Sequence, residues 1–507
     1  MKKGLCHILC LLTIGCLLLL FVQEHWPLFK LKPLDGVTEK TEFPALTMKN
    51  CVTGNYQNDL EQYLRENFGF RECLIRYYNQ YLWDCYKKTN VQSITIGKDN
   101  YLYNTAVVED YCGEYQYNYI DSIEQLRPRL ILEATRLRKV QEILAEYGKH
   151  LFVVIEPSKA RVYPEYLPDK IQKQENHQTA ADLYPALFDS IGVNYINIDR
   201  WFQQIKDSVG YALYPQLGTH WSNLAALHVT DSILRYMEWL GDTELPQLEI
   251  SQTLYDTTMR PDDDLEKLLN LSRSIREIPN QYADFHIAND TAFRKPAIIT
   301  IGDSYFWNIA YHIPLDSLFS QYPFWYYNSS VYYDPQYQKT ADFSLIEQLV
   351  NTDFVMISFC TVNLYSMSNL FSCQALVNLC YNKQEVNRVL QKVIENIHNT
   401  DDWMAAIEKK AAEQGKSLDQ VLHSEAEYVL YSNPERYFPA LAENHPLTRN
   451  TMLRMTDPED PIGITLRYMH TNQQWRESLE KKAKERHLDL ETVMIQDAEW
   501  GQHLKSN

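Results

Sequence analysis

The 507-residue chain has no surplus of positive charge: 48 Lys and Arg stand against 66 Asp and Glu, a formal net charge of −18. That balance argues against nucleic acid or an anionic membrane surface as a partner held by charge. Nor is there a Cys-x-x-Cys pair, so nothing reads as a zinc site, and no metal or organic cofactor is indicated. Three of the ten cysteines (Cys6, Cys10, Cys16) lie in an apolar N-terminal run. The other seven are Cys51, Cys73, Cys85, Cys112, Cys360, Cys373 and Cys380, an odd number that leaves at least one thiol unpaired within the chain. Cys73 and Cys85 are candidates to pair in an oxidising compartment, while Cys360, inside an apolar strand, reads as a buried free thiol.

What is present is globular in kind, 45% apolar and 22% charged, with length enough for two or three domains. Aromatics are abundant: 36 Tyr, 18 Phe and 10 Trp, a load that suits either a sugar-stacking surface or wide aromatic packing in a large core. The run 4–22, "GLCHILCLLTIGCLLLLFV", is interrupted only by His7 and Thr13 and follows Lys2 and Lys3. Its length predicts a membrane-crossing helix, and the leading lysines predict a cytoplasmic N-terminus with the bulk exported. No small-x-small cleavage site follows, which favours an uncleaved inner-membrane anchor over a signal peptide. "LTIGC" fits a lipidation box badly at Ile14.

Beyond a polar, Pro-containing stretch at 30–55, segment 56–86 has helical spacing broken at Gly69, and 93–104 reads as two short strands about a turn. An amphipathic helix is expected over 130–148, ending at Gly148. Four apolar β-rich runs follow, at 150–158, 193–202, 296–305 and 352–363, separated by helical segments. None alternates in polarity, as expected for strands of a parallel sheet buried on both faces. In such a three-layer α/β domain ligands sit beyond the carboxyl ends of the strands. The residues there are Glu156, Ser158 and Lys159; Asp199; Asp303 and Ser304; Thr361 and Asn363. From 401 onward one unit occurs twice, 72 residues apart: Trp403 matches Trp475, the segment 408–411 matches 480–483, and Tyr428 matches Trp500. Each unit reads as a helical hairpin with an apolar seam, suited to packing or assembly.

Ser304, in "IGDSYFWN", thus stands where an α/β enzyme keeps a nucleophile. A serine needs a base to take its proton. The best candidate among 14 histidines is His220, in "LGTHWSNLAA", where a loop enters a helix capped by Ser222 or Asn223.

These two stretches, in this order, resemble the AlgJ/AlgX-like branch of the SGNH hydrolase superfamily, the proteins of alginate and related exopolysaccharide O-acetylation. "VVIEPSKARVYPEYLP" (153–168), "ENFGFRECLI" (66–75) and "IGKDNYLYN" (96–104) are similar to three further family segments, so the resemblance spans roughly 60–370. It implies Ser304 as nucleophile and His220 as base. One departure is plain: where the family places an acid two residues before the histidine, this chain has Gly218. Another group substitutes, or the site works as a dyad, or it is inactive. Asp303 and Asp199 are the nearest candidates to replace the acid, Asp303 being suited also to a structural role. Lys159 matches a family lysine and would position an anionic or acetylated substrate, or else hold its loop by a salt bridge. Tyr305, Tyr311 and Trp221 flank the site and are candidates to stack on a sugar ring, as well as core residues. Asn363 is a candidate oxyanion donor.

The expected architecture is α/β: a three-layer SGNH (flavodoxin-like) parallel-sheet domain at 91–398, after a tip and anchor (1–29) and a stalk with a helical segment (30–90), and before two helical hairpins (399–507). The resemblance implies an exported, membrane-anchored O-acetyltransferase acting on a cell-envelope or secreted polysaccharide through an acetyl-serine. Its partner would be a multispanning membrane acyltransferase that delivers the acetyl group. An acetyl esterase on the same substrates is the first alternative. The second is a carbohydrate-binding or scaffolding subunit with an impaired site. A carboxylate within reach of the outer nitrogen of His220 discriminates between catalysis and binding.

Overall fold

The structure is a computed structural model that describes residues 2–36, 41–113, 123–171, 178–256, 262–275, 278–288, 294–443, 447, 449–486, 488 and 490–506. The expected α/β architecture is present as a mixed rather than wholly parallel sheet. After a short hairpin of β1 (Ile94–Ile96) and β2 (Leu102–Asn104), the main strands are β3 (His150–Glu156) and β4 (Tyr195–Asn197). An antiparallel ribbon of β5 (Gln247–Asp256) and β6 (Asn280–Ala288) precedes β7 (Ile298–Gly302), β8 (Phe324–Tyr326), β9 (Ser330–Tyr332) and β10 (Phe354–Cys360). The six-stranded sheet runs β4-β3-β10-β7-β8-β9, parallel throughout except for the edge strand β9.

The pleat divides each central strand between two cores. Leu151, Val153 and Ile155 face the helices Ile123–Ala145, Ala180–Ile191 and Phe371–Cys380. Phe152, Val154, Ile298 and Met356 face the helices Asn223–Gly241 and Phe306–His312. Burial on both sides is why these runs show no alternation in the sequence.

The tandem units are helical hairpins, Asp401–Gln414 with Leu418–Ser432 and Gln473–Arg486 with Leu490–Ser506. They repeat an interhelical ion pair at equivalent positions, Lys410–Glu425 and Lys482–Asp497. The first hairpin extends the sheet's own core through Ile407, Val421, Ala426 and Leu430, and a buried Arg136–Glu435 pair (2.5 Å) fastens it. The second has its own core around Met469, Leu479, Val493 and Met494.

Two expectations are corrected. The N-terminal run is helical (Lys2–His25), but among the described residues no helix is long and apolar enough to cross a membrane. Its last turns are covered by protein: Gly69 lies so close that a Cβ there would sit 2.1 Å from the Leu20 carbonyl oxygen, and the buried Gln23 side chain accepts from the Leu28 and Phe29 amides. The expected transmembrane anchor, and the inner-membrane, periplasmic placement that rested on it, is not upheld. Cys73 and Cys85 are both free thiols within one helix, Arg71–Tyr86. Twelve residues of helix separate them by about 18 Å, far beyond the span of a disulfide.

Candidate functional site

The last residue of β7, Gly302, is a glycine because its neighbouring strand comes too close for a side chain: a Cβ there would lie 2.5 Å from the Ser358 carbonyl oxygen. Asp303 then turns the chain. Its Oδ1 accepts from the Tyr305 amide (3.1 Å), and its Oδ2 accepts from the Cys360 amide (2.9 Å) and from Asn363 Nδ2 (2.6 Å). This fully buried carboxylate ties the ends of β7 and β10 together and leaves Ser304 at the head of the helix Phe306–His312. Behind it, burial and the Asp303 charge hold the Glu156 carboxyl well above the usual carboxylate range, and Ser358 Oγ donates to Glu156 Oε1.

His220 arrives on the other side of the cleft. Ser222 caps the helix Asn223–Gly241 through the Ala225 amide, which fixes the end of the loop that carries the imidazole. Two residues beside Ser304 hold the same loop by its carbonyls: Tyr305 Oη donates to Thr219 O (3.1 Å) and Asn308 Nδ2 donates to Trp221 O (2.9 Å). The outcome is a contact of 2.8 Å between His220 Nε2 and Ser304 Oγ.

The outer nitrogen also has a carboxylate beside it, from a segment that sequence reasoning missed. His220 Nδ1 lies 3.2 Å from Asp264 Oδ2, at ion-pair distance but off the line of an aligned hydrogen bond. Asp264 Oδ1 accepts from the Thr219 amide (2.8 Å) and from the Leu265 amide (2.9 Å), which aims Oδ2 at the imidazole. Leu265 and Leu269 of the short helix Asp264–Leu269 pack with Leu217, and the Glu266 amide donates to Leu217 O (3.2 Å). Gly218 is the meeting point of the two segments. A Cβ at Gly218 would sit 2.4 Å from the Asp262 carbonyl oxygen, so the incoming chain occupies the space an acid at 218 would need.

The other candidates lie elsewhere. Asp199 is buried and accepts from Arg161 Nε (3.0 and 3.1 Å) and Gln203 Nε2 (2.9 Å); like Asp303, it turns no oxygen toward His220. Asn363 spends its amide on Asp303 and on Tyr327 Oη (3.3 Å), which removes it as an oxyanion donor. Trp221 and Tyr305 are core residues, 0% and 4% exposed, so neither presents a face to a sugar; the Tyr305 ring instead meets His220 edge-on at 4.9 Å. Burial pushes the Tyr305 hydroxyl well above its ordinary range.

Lys159 turns its ammonium into the protein, and among the described residues it has no ion-pair partner. It is fully buried, with Nζ 2.6–2.9 Å from the carbonyl oxygens of Leu102, Pro215, Gln216 and Gly218, and near the Tyr101 and Tyr103 rings. It is an internal strut for the loop that presents His220. Burial pulls its pKa down, to about 7, against the pull of Asp264 and Asp262. Among the described residues no cluster of His, Cys, Asp or Glu could hold a metal ion.

Set beside known proteins, residues 94–313 match the model of a family described as the SGNH hydrolase-like domain of the acetyltransferase AlgX. Among solved structures, the O-acetyltransferase domain of Pseudomonas putida AlgJ is similar over 58% of this chain and 98% of that one, at 15% identity and a TM-score of 0.36. Pseudomonas aeruginosa AlgX matches over 57% and 68%, at 14% identity and a TM-score of 0.34. Bacillus cereus PatB1 matches over 54% and 96%, at 12% identity and a TM-score of 0.32. No curated protein gives a significant match.

Proposed function

Starting from residues 94–313 as an SGNH hydrolase-like domain of the AlgX acetyltransferase type, we propose that the chain is an O-acetyltransferase that modifies a polysaccharide through an acetyl group carried on Ser304. The observation that carries this reading is the line Ser304–His220–Asp264, at 2.8 and 3.2 Å. A scaffolding subunit with a decayed site has no use for a carboxylate redirected to the outer nitrogen of an imidazole that already touches the serine.

In the first half-reaction His220 Nε2 takes the Ser304 Oγ proton while Oγ attacks the acetyl carbonyl carbon of the donor. The tetrahedral intermediate collapses, the donor's oxygen leaves with the proton from His220, and an acetyl ester remains on Ser304. In the second, a sugar hydroxyl gives its proton to His220 and attacks that ester, and Ser304 Oγ leaves with the proton. Asp264 supports both halves by holding Nδ1 and offsetting the charge of the imidazolium. Asp303 is a positioning residue: its bonds to β10 and to the Tyr305 amide fix the turn on which Ser304 rides. The acetyl donor is supplied by a separate acyltransferase partner.

The test is the whole chain with a chromogenic acetyl ester, following burst and turnover against Ser304→Ala and His220→Ala, with mass spectrometry of Ser304. A burst with acetyl-Ser304, absent in both variants, is the expected result. Turnover at the level of Ser304→Ala with several acyl donors would remove the enzyme reading. Adding oligosaccharide separates transfer from hydrolysis, since water and a sugar hydroxyl compete for the same acetyl ester.

A further inference from the structure

One turn of helix beyond Ser304 begins a surface that nothing in the acetyl chemistry uses. Residues 322–337 contain eight aromatics, at Tyr322, Phe324, Trp325, Tyr326, Tyr327, Tyr332, Tyr333 and Tyr337. The pleat of β8 sends Trp325 inward, to Phe343 and Phe371, and turns Phe324 and Tyr326 to the face that carries the helix Phe306–His312. On that face Trp307, whose amide donates to Ser304 O (3.2 Å), gathers the rings of Tyr326 (6.0 Å), Tyr332 (4.7 Å) and Tyr333 (6.0 Å). Tyr332 and Tyr333 are 42% and 44% exposed, at the end of the edge strand β9 and just beyond it.

One further observation points to the kind of ligand. The segment that carries these rings is almost free of charge: between Asp303 and Asp334 the only acidic or basic side chain, His312 aside, is Asp316. Beyond it Asp334, Lys339 and Asp342 sum to one negative charge. Recognition of a polyuronate calls for Arg and Lys opposite its carboxylates. Exposed aromatic rings without such cations suit the apolar faces of uncharged pyranose rings.

We propose that Trp307, Tyr326, Tyr332 and Tyr333 form the acceptor platform, and that the acceptor is a neutral pyranose polysaccharide rather than a polyuronate. By register Tyr332 lies opposite Phe324 and level with Thr300 of β7, and Trp307 joins these rings to the helix that follows Ser304, so an acceptor chain resting on the tyrosines would run past Trp307 toward the end of β7 and the acetyl ester. This rests on the acetyltransferase reading, and the experiment separates the two.

Acetyl transfer from the chromogenic ester is measured with the whole chain, using cellohexaose, chitohexaose and maltohexaose against hexagalacturonate, by mass spectrometry of the oligosaccharides. Binding of the same four by Ser304→Ala is measured by calorimetry, which needs no turnover. Expected are binding of and transfer to at least one neutral hexasaccharide in preference to hexagalacturonate. Tyr332→Ala and Tyr333→Ala should each weaken that binding and raise the acceptor KM about tenfold. Both replace exposed rings, and Tyr428→Ala, on the first hairpin, should change neither quantity. Preference for hexagalacturonate, binding of none of the three neutral chains, or indifference to both tyrosine substitutions overturns the proposal. Neutral-chain binding that the tyrosines control, without any acetyl-Ser304 in the wild type, upholds the platform and removes the acetyltransferase reading instead.

Discussion

Asp264→Asn is the sharpest perturbation of the site. The amide keeps an oxygen for the Thr219 and Leu265 amides, so the segment stays in place and only the charge beside His220 Nδ1 is lost. At the observed 3.2 Å, an imidazolium and a carboxylate attract by about 5 kcal/mol at an effective dielectric of about 20. Asp264 is 30% exposed, and solvent screening reduces that to roughly 2–3 kcal/mol, or about a hundredfold in rate. A fully sequestered triad acid is worth on the order of 10⁴. The expected loss in kcat/KM therefore lies between about 10² and 10⁴, read from the chromogenic ester assay. Thermal stability should stay close to that of the wild type. If Asp264→Asn stays within about threefold of wild type while His220→Ala and Ser304→Ala abolish turnover, the site is a dyad and Asp264 merely caps the loop.

Two further predictions concern buried charge. Burial raises the Asp110 carboxyl to about 7, although Tyr365 Oη donates to it (3.1 Å). Because the folded pKa lies above the unfolded one, this group costs stability progressively as pH rises from about 4 to 7. Asp110→Asn should accordingly leave Tm unchanged near pH 3 and raise stability by at most ~4 kcal/mol above pH 7, checked by scanning calorimetry across pH; a gain that does not grow with pH would refute the assignment. Lys159→Met removes the donor shared by four buried carbonyls, of which Gln216 O keeps the Leu102 amide, and should cost about 3 kcal/mol or more, with ester turnover falling as the loop of His220 loosens. Since the folded pKa of Lys159 is lowered to about 7, the wild type should gain stability over Lys159→Met as pH rises from 7 toward 10, and a gap that narrows over that range would refute the lowered pKa.

The residues that announce themselves locally were legible. β3, β7 and β10 are unbroken apolar runs, and both Ser304 and His220 sit at sites that a strand end and a helix cap mark out. Less visible was whatever depends on where two distant segments meet. β8 and β9 read as neither helix nor alternating strand, since aromatics cover both faces of the ribbon. Asp264 lies 44 residues beyond His220, in an acidic run that opens a leucine-spaced helix, and such runs ordinarily mark a solvated helix start. Contacts with distant residues turn this one inward: Leu265 and Leu269 pack with Leu217, and the Glu266 and Thr219 amides tie the two segments together. Lys159 was recognisable as a residue of note, yet its four acceptors come from backbone, which has no signature in sequence.

Gly218 supplies the strongest check on that account, because it ties the missing acid to the relocated one. A side chain at 218 and the segment 262–264 compete for one space: the Cβ would approach the Asp262 carbonyl oxygen to 2.4 Å and the ring of Pro215 to 2.8 Å, and neither a backbone carbonyl nor a proline ring is a flexible group that gives way. Placing an aspartate at 218, where the resemblance leads one to expect the acid, should therefore fail here. Gly218→Asp in the Asp264→Asn background is expected to add no activity, and Gly218→Asp alone should lower turnover by pushing the 262–264 segment, and Asp264 with it, off His220. The comparison is made in the ester assay with Tm measured in parallel, so that a general loss of fold is visible as such. Recovery of turnover in the double variant would mean that the 262–264 segment yields readily. The glycine would then be a tolerated absence rather than the condition for the acid's new position.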